Sequence, residues 1–391
     1  MNTAVIVDVV RTASAKGKTG GALAEVHPAS LLATVLAALV DRNDLDPALV
    51  DDVIAGCVGQ AGEQALNIAR TASLAAGFPV TVPGTTLDRQ CGSSQQAAHF
   101  AAQGVMAGAY DIVIACGVES MSRVPIGTAP MGQNPLAPLT ERFPSLPNQG
   151  VGADLIAARW GLDREALDSY AARSHERAAA STAAGDFDSE IVSVELSNGA
   201  HHRVDETVRP STTADGLANL RPAFRTDEMS VRYPEINWSI TPGNSSPLTD
   251  GASAALIMSE QMASSLGLRP RARFHTFAVA GDDPEIMLTA PIPATRQILD
   301  KSGLRIEDID AYEVNEAFAS VPLAWAKDMG ADPERLNPRG GAIALGHPLG
   351  ASGTRLLCTL LNHLEATNGR YGLQTMCEGG GMANATLIER L

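Results

Sequence analysis

Aromatic residues make up only 4% of this 391-residue chain, and charged residues only 19%. A typical globular domain carries about 25% charged residues. A core short of Phe, Tyr and Trp has to be filled by Ala, Val, Leu and Gly, which suits helices and strands packed at close range. Disorder is excluded, because it needs low hydrophobicity and high net charge, whereas 45% of these residues are hydrophobic. Positive charge is also scarce. Lys and Arg number 29 against 44 Asp and Glu, a formal net charge of −15. Such a field repels phosphate polymers, so no nucleic-acid partner is expected. A local cluster of Arg and backbone N–H groups can still receive a small anionic ligand. Long apolar runs are missing. The longest near the N-terminus is Leu31–Val40, against the about 20 residues of a membrane span. No basic segment precedes it, and strand-like sequence (Ala4–Val10) begins almost at once. The chain ends Glu389-Arg390-Leu391, which is not a peroxisomal address. No membrane partner, leader or anchor is read here, and a cytoplasmic location is expected. The cysteines are five, Cys57, Cys91, Cys116, Cys358 and Cys377. An odd number with no C-x-x-C pair fits a reducing compartment and argues against a metal ribbon or disulfide scaffold.

Apolar β-branched runs alternate with Ala-rich helical stretches, which reads as an α/β protein with buried strands. The strands include Ala4–Val10, Val53–Val58, Ile112–Cys116 and Tyr371–Cys377; the helices include Pro28–Asp41, Ser94–Ala107 and Gly353–Ala366. The order of elements recurs. Leu45–Val58 (LDPALVDDVIAGCV) is echoed by Arg305–Phe318 (RIEDIDAYEVNEAF), with Asp52 and Asp310 each just before a strand. Tyr110–Gly117 is echoed by Tyr371–Gly380. Any two βαβ units look alike, but the shared order of several elements favours duplication, with two helix-covered sheets. Residues 120–248 differ in composition and read as an insertion over the first half; long ordered segments of this kind usually serve binding. The expected division is 1–265, carrying that insertion, and 266–391.

Gly17–Thr19 (GKT) mimics a phosphate-binding loop, but Thr12 stands where the first glycine should be, so the P-loop reading fails. Cys91 lies in DRQCGSSQQAAHF, where a polar turn leads into a helix. There the dipole and free N–H groups favour thiolate; the alternative is a buried structural thiol. His347 lies in NPRGGAIALGHPLGASG, with five glycines between Gly340 and Gly353. A His held in such a loop can accept a thiol proton, although a lone His is more often a surface or core residue. Cys377 ends a strand and enters Gly379, Gly380 and Gly381, whose N–H groups can bind an oxyanion. Asn315 follows the strand Ala311–Val314. It either positions a water or carbonyl, or caps a helix from Glu316. All these positions lie at strand ends, where open α/β sheets bind ligands.

In these segments, and in GNSSPLTDGASA, the chain resembles the thiolase family over essentially its whole length. The resemblance implies a five-layered α/β/α/β/α fold of two similar halves with an inserted loop domain. It implies a homodimer or homotetramer and acyl transfer between a nucleophilic Cys and coenzyme A. The substrates would be 3-ketoacyl-CoA, acetyl-CoA and CoA, with CoA a co-substrate and no permanently bound cofactor or metal. Cys91 would attack the 3-keto carbon, with His347 taking its proton. Cys377 would protonate the departing acetyl-CoA enolate. His347 and a water on Asn315 would bind the enolate oxygen, and the N–H groups of Cys91 and Gly379 the acyl oxyanion. Ser246 matches a serine near the pantetheine arm; Arg209 and Arg221 are candidate cations for the nucleotide end. Many acetoacetyl-CoA-specific members carry His-Met where this chain has Asn148-Gln149. A polar Gln there in place of a flexible thioether points to bulkier acyl groups and a degradative role. The alternatives are a biosynthetic acetyl-CoA acetyltransferase, a condensing synthase that does not need Cys377, a cysteine hydrolase, and a non-catalytic acyl-CoA or lipid binder of the same fold.

Overall fold

The computed structural model describes residues 2–144 and 146–391. In the first half, strand β1 (Ala4–Thr12) leads to helix α1 (Pro28–Arg42), β2 (Asp52–Gly56), α2 (Ile68–Ala75) and β3 (Gly84–Leu87). Then come α3 (Ser93–Ala107), β4 (Ile112–Ser120), α4 (Gln149–Trp160), α5 (Arg164–Ala184) and β5 (Thr249–Ser259). The second half runs β6 (Ala272–Gly281), α6 (Pro291–Ser302), β7 (Ala311–Val314), α7 (Ser320–Met329), α8 (Ser352–Thr367), β8 (Tyr371–Glu378) and β9 (Met382–Arg390).

The strands lie in the order β7-β8-β9-β6-β1-β5-β4-β2-β3. In the first half β2 and β4 are parallel, then β5 and β1 are antiparallel. In the second, β7 and β8 are parallel, then β9 and β6 antiparallel. The same order and orientation in both halves is what duplication produces. Among the described residues, the half-sheets pair where Val5 and Ile6 of β1 meet Arg273 and Ala272 of β6. Helices α3 and α8 fill the space between them, α1 and α2 cover the outer face of one, and α6 and α7 that of the other. Five layers result, as the family resemblance implies. The scarcity of aromatics is visible in the central layer. Ala97, Ala98, Ala101 and Ala102 of α3 pack with Leu357, Leu360 and Leu361 of α8. A Cβ built on Gly353 would lie 2.1 Å from the Gln95 backbone nitrogen, so only glycine lets the two helix N-termini touch.

Each half carries one carboxylate that closes its repeat. Asp51 accepts from the N–H groups of Asp111 and Ile112, 60 and 61 residues ahead. Asp310 accepts from those of Arg370 and Tyr371, again 60 and 61 ahead. The counterpart of Asp310 is therefore Asp51, not Asp52. Asp52 instead lies within β2, where it accepts a hydrogen bond from Tyr110.

Between β4 and β5 the described residues leave the sheet except for a two-residue strand, Ile191–Val192, on β1. A fully buried ion triad ties this stretch down. Arg11 of β1 donates to Glu190 at 2.6 Å and to Asp205 at 2.8 Å. Lys18 and Thr19 of the false phosphate loop are solvent-exposed. Among the described residues no helix is long and apolar enough to cross a membrane.

Candidate active site

Cys91 sits in a locked turn between β3 and α3. Asp88 accepts from the Gln90 N–H at 2.6 Å, and the Ser93 hydroxyl accepts from Arg89 N–H while donating to the Gln90 carbonyl. Gln90 pays for this turn with a positive φ of 48°, a strain that recurs at functional sites. The Cys91 side chain is 6% exposed and packs on Leu349, Leu356 and Met376. Helix α3 starts two residues later, at Ser93. Burial, then the nearby Glu378, push the Cys91 thiol up to about 12. The thiolate expected from a helix N-terminus is therefore not the resting form: desolvation outweighs the backbone hydrogen bond that favours it.

His347 follows Gly346, whose φ of +82° suits glycine, and precedes Pro348. Its N–H donates to the Thr249 hydroxyl at 3.0 Å. Nδ1 lies 2.6 Å from the Ser352 hydroxyl, which itself donates to the Pro348 carbonyl at 2.9 Å. With its one proton spent on that carbonyl, Ser352 can only accept from Nδ1–H. Nε2 is thereby left as the acceptor, and takes a hydrogen bond from the Asn315 Nδ2–H at 3.3 Å. Burial, helped by the Arg355 charge, holds the imidazole down to about 3. The site thus holds a neutral thiol and a neutral base of defined tautomer.

Asn315 directly follows β7, its N–H donating to the Thr375 carbonyl at 3.1 Å. Helix α7 begins only at Ser320, so the capping alternative fails. The Asn315 Oδ1 is buried without a partner among the described residues. Cys377, near the end of β8, is wholly buried, opposite Ala383 of β9. Burial, then the proximity of Cys91, push its thiol well above the ordinary range. It is a neutral S–H close to the first thiol. The β8–β9 turn brings Gly379 against the Cys91 loop, since a Cβ there would lie 2.9 Å from Gln90 Oε1. Cys91, Asn315, His347, Cys377 and Gly379 thus meet at one rim, where the parallel strands end.

The remaining candidates lie further out. Ser246 is half-buried, its N–H and hydroxyl both on the Ala317 carbonyl at 3.0 and 3.2 Å. Arg209 and Arg221 are exposed, and among the described residues neither guanidinium forms an ion pair. Asn148 is exposed and caps α4, accepting from Gly150 N–H at 2.9 Å. Gln149 opens that helix, half-buried. The next residue, Gly150, packs on Phe224, which stands edge-on to Phe318 at 5.9 Å.

Two carboxylates that hold the rim together escaped sequence reasoning. Glu119 accepts from the N–H groups of Val58, Gly59 and Gly350 and from Gln64. Glu316 accepts from Tyr170, Ser174, Asn337 and the Ile343 N–H. Both are buried, and between them they tie β4, helix α5 and the His347 loop to the site. The available signal was an acidic residue at the C-terminal end of an apolar strand, inside β4 for Glu119 and two residues past β7 for Glu316.

The thiolase N-terminal domain family matches residues 4–261 and the thiolase C-terminal domain family residues 268–390. A steroid 3-ketoacyl-CoA thiolase (FadA6) of Mycobacterium tuberculosis is 50% identical over all of this chain and 95% of its own length. A 3-ketoacyl-CoA thiolase of Photobacterium profundum is 44% identical over the whole of both. A crystal structure of the Bacillus anthracis acetyl-CoA acetyltransferase superposes with a TM-score of 0.89 at 37% identity, covering 100% of this chain and 99% of that one. With both domain families matched in order around a rim that gathers two thiols, an imidazole and an Asn, the chain belongs to the thiolase family.

Proposed function

We propose that this acyltransferase cleaves 3-ketoacyl-CoA with CoA, giving acetyl-CoA and a shortened acyl-CoA, in a degradative role. The carrying observation is the pair of buried neutral thiols at the same rim as a His whose lone pair is on Nε2. That tautomer suits the first step, because Nε2 can take the Cys91 proton as sulfur attacks the C3 carbonyl. The tetrahedral oxyanion is received by the N–H groups of Cys91 and Gly379. On collapse the C2–C3 bond breaks, leaving the acyl group on Cys91 and an acetyl-CoA enolate. His347, now protonated at Nε2, donates to the enolate oxygen. A water held on the unpartnered Asn315 Oδ1 supplies the second donor. The Cys377 S–H protonates C2 and recovers a proton from entering CoA. The CoA thiolate attacks the thioester, and Cys91 takes its proton back from His347. Every proton is returned and no atom undergoes net oxidation or reduction, so the cycle needs no redox partner.

The degradative direction is supported by relatives at 43–50% identity that carry the 3-ketoacyl-CoA thiolase name; the biosynthetic alternative is not favoured. The chain is read as halves 1–265 and 266–391 with an insertion over 120–248, and as a cytoplasmic homodimer or homotetramer. Light scattering at micromolar concentration should give a multiple of 40.7 kDa; a monomer mass would sink the oligomer. Ser246 is read as the pantetheine contact, with Arg209 and Arg221 reaching the nucleotide end of CoA.

For the acyl group, Gln149 in place of a Met wall supports a pocket wider than acetoacetyl. The steroid-directed relative named above is in line with branched or ring-derived chains. The test is kcat/KM for thiolysis across acetoacetyl-CoA, a medium-chain and a ring-bearing 3-ketoacyl-CoA. The bulky substrates should lead, and Gln149→Met should lower the ring-bearing one by about tenfold. A clear preference for acetoacetyl-CoA would refute the wide pocket.

A further inference from the structure

Glu378 directly follows Cys377 and takes no part in the reaction above. Its side chain is wholly buried, and neither carboxyl oxygen has a hydrogen-bond partner among the described residues. It lies against the Cys91 turn: a Cβ built on Gly92 would fall 2.0 Å from Oε1. Asn384 of β9 completes the enclosure, donating to the Gly92 carbonyl at 2.9 Å while its own Oδ1 stays unpartnered. A carboxylate buried with no donor is costly, so this group avoids the charge by keeping its proton.

We propose that Glu378 is a positioning residue that sets the nucleophilicity of Cys91. As the neutral acid it leaves the sulfur free to ionise; as the carboxylate it holds the proton on the thiol. The proposal rests on Cys91 being the nucleophile.

The groups around Glu378 fit this role. Burial pushes its carboxyl up to about 8, with Arg89 opposing and Asp88 reinforcing. Glu378 is in turn the largest charge acting on Cys91, ahead of Glu119 and Asp88. From β8 comes Cys377, which is neutral, and from β9 the uncharged Asn384. Beyond Gly381, the carboxylates of Asp282 and Asp283 are engaged by Thr289 and by the Glu285 N–H. The sign follows. Below pH 8 Glu378 is neutral and has little effect; above it, each ionised Glu378 opposes ionisation of Cys91 and the thiol reacts more slowly than its own titration would allow.

The experiment uses the full chain carrying Cys377→Ser, with and without Glu378→Gln. Iodoacetamide alkylation of Cys91 is followed between pH 6 and 10 by mass spectrometry of the Cys91 peptide. The two proteins should react alike below pH 7, and Glu378→Gln about tenfold faster near pH 9.5, the ratio expected for a one-unit shift. Glu378→Asp should restore the slow alkaline arm. A ratio constant across pH, including uniform slowing from disturbed packing, would overturn the proposal. Should the Gln variant fail to fold, the Glu378 protein decides alone: its rate profile must bend near pH 8, and an unbroken rise overturns the idea. Acylation by acetyl-CoA, read as an adduct on Cys91, separately tests the nucleophile. Its absence would remove that reading while the alkylation profile still reports the coupling.

Discussion

Replacing Cys91 with Ser should lower thiolysis of 3-ketoacyl-CoA by at least about 10³-fold and remove the acyl adduct. The size of the effect comes from the site's electrostatics. Burial above all pushes the thiol up, and burial holds the accepting imidazole down to about 3. Proton transfer is uphill even from sulfur, and a hydroxyl is a far weaker acid. Folding should survive, because Cys91 packs on Leu349, Leu356 and Met376 and one sulfur becomes one oxygen. A loss of about 1 kcal/mol is expected for the buried polar group. Mass spectrometry after mixing with 3-ketoacyl-CoA decides the matter. An adduct of the same mass and yield in Cys91→Ser would move the nucleophile elsewhere.

The second large effect separates the two thiols. Cys377→Ala should still be acylated at Cys91 by a simple acyl-CoA, within about tenfold of the parent, since CoA leaves as a thiolate with little acid help. It should lose about 10²- to 10⁴-fold in cleaving 3-ketoacyl-CoA and in exchanging the Cα protons of acetyl-CoA, the span of a missing acid–base group. The structure gives the reason for asymmetry. Cys377 is a fully buried S–H that stays protonated, with Cys91 close enough to oppose its ionisation. A group in that state is suited to give a proton to carbon. Equal loss of both half-reactions would make Cys377 a packing residue. His347 cannot take over the task, because its Nδ1–H is committed to Ser352 and its Nε2 serves Cys91 and the enolate oxygen.

These predictions also show why local order within the site matters. Glu119 and Glu316 touch no reacting atom, yet each gathers four donors from distant segments. Glu119 binds the Gly350 N–H next to the start of α8, and Glu316 the Ile343 N–H ahead of His347. The imidazole is therefore held by backbone that two buried carboxylates fix in place.

The sequence by itself determined the elements and the gathering of the reactive groups. Alternating apolar runs and Ala-rich stretches marked α3 and α8 to within a residue, because helix and strand periodicity are short-range properties. Reactive residues at strand ends in both halves implied one rim, since parallel strands of an α/β sheet end together. The tertiary structure alone decided their protonation. Whether Cys91 rests as thiol or thiolate depends first on its burial against Leu349, Leu356 and Met376, residues far from it in the sequence. Which His347 nitrogen bears the proton depends on where Ser352 spends its own. The repeat's closing carboxylate is Asp51 and not Asp52, because an Asp can bind the N–H groups of another segment only where the fold aims it at them. Burial and charge are sums over neighbours brought together by folding, and no local pattern encodes such a sum.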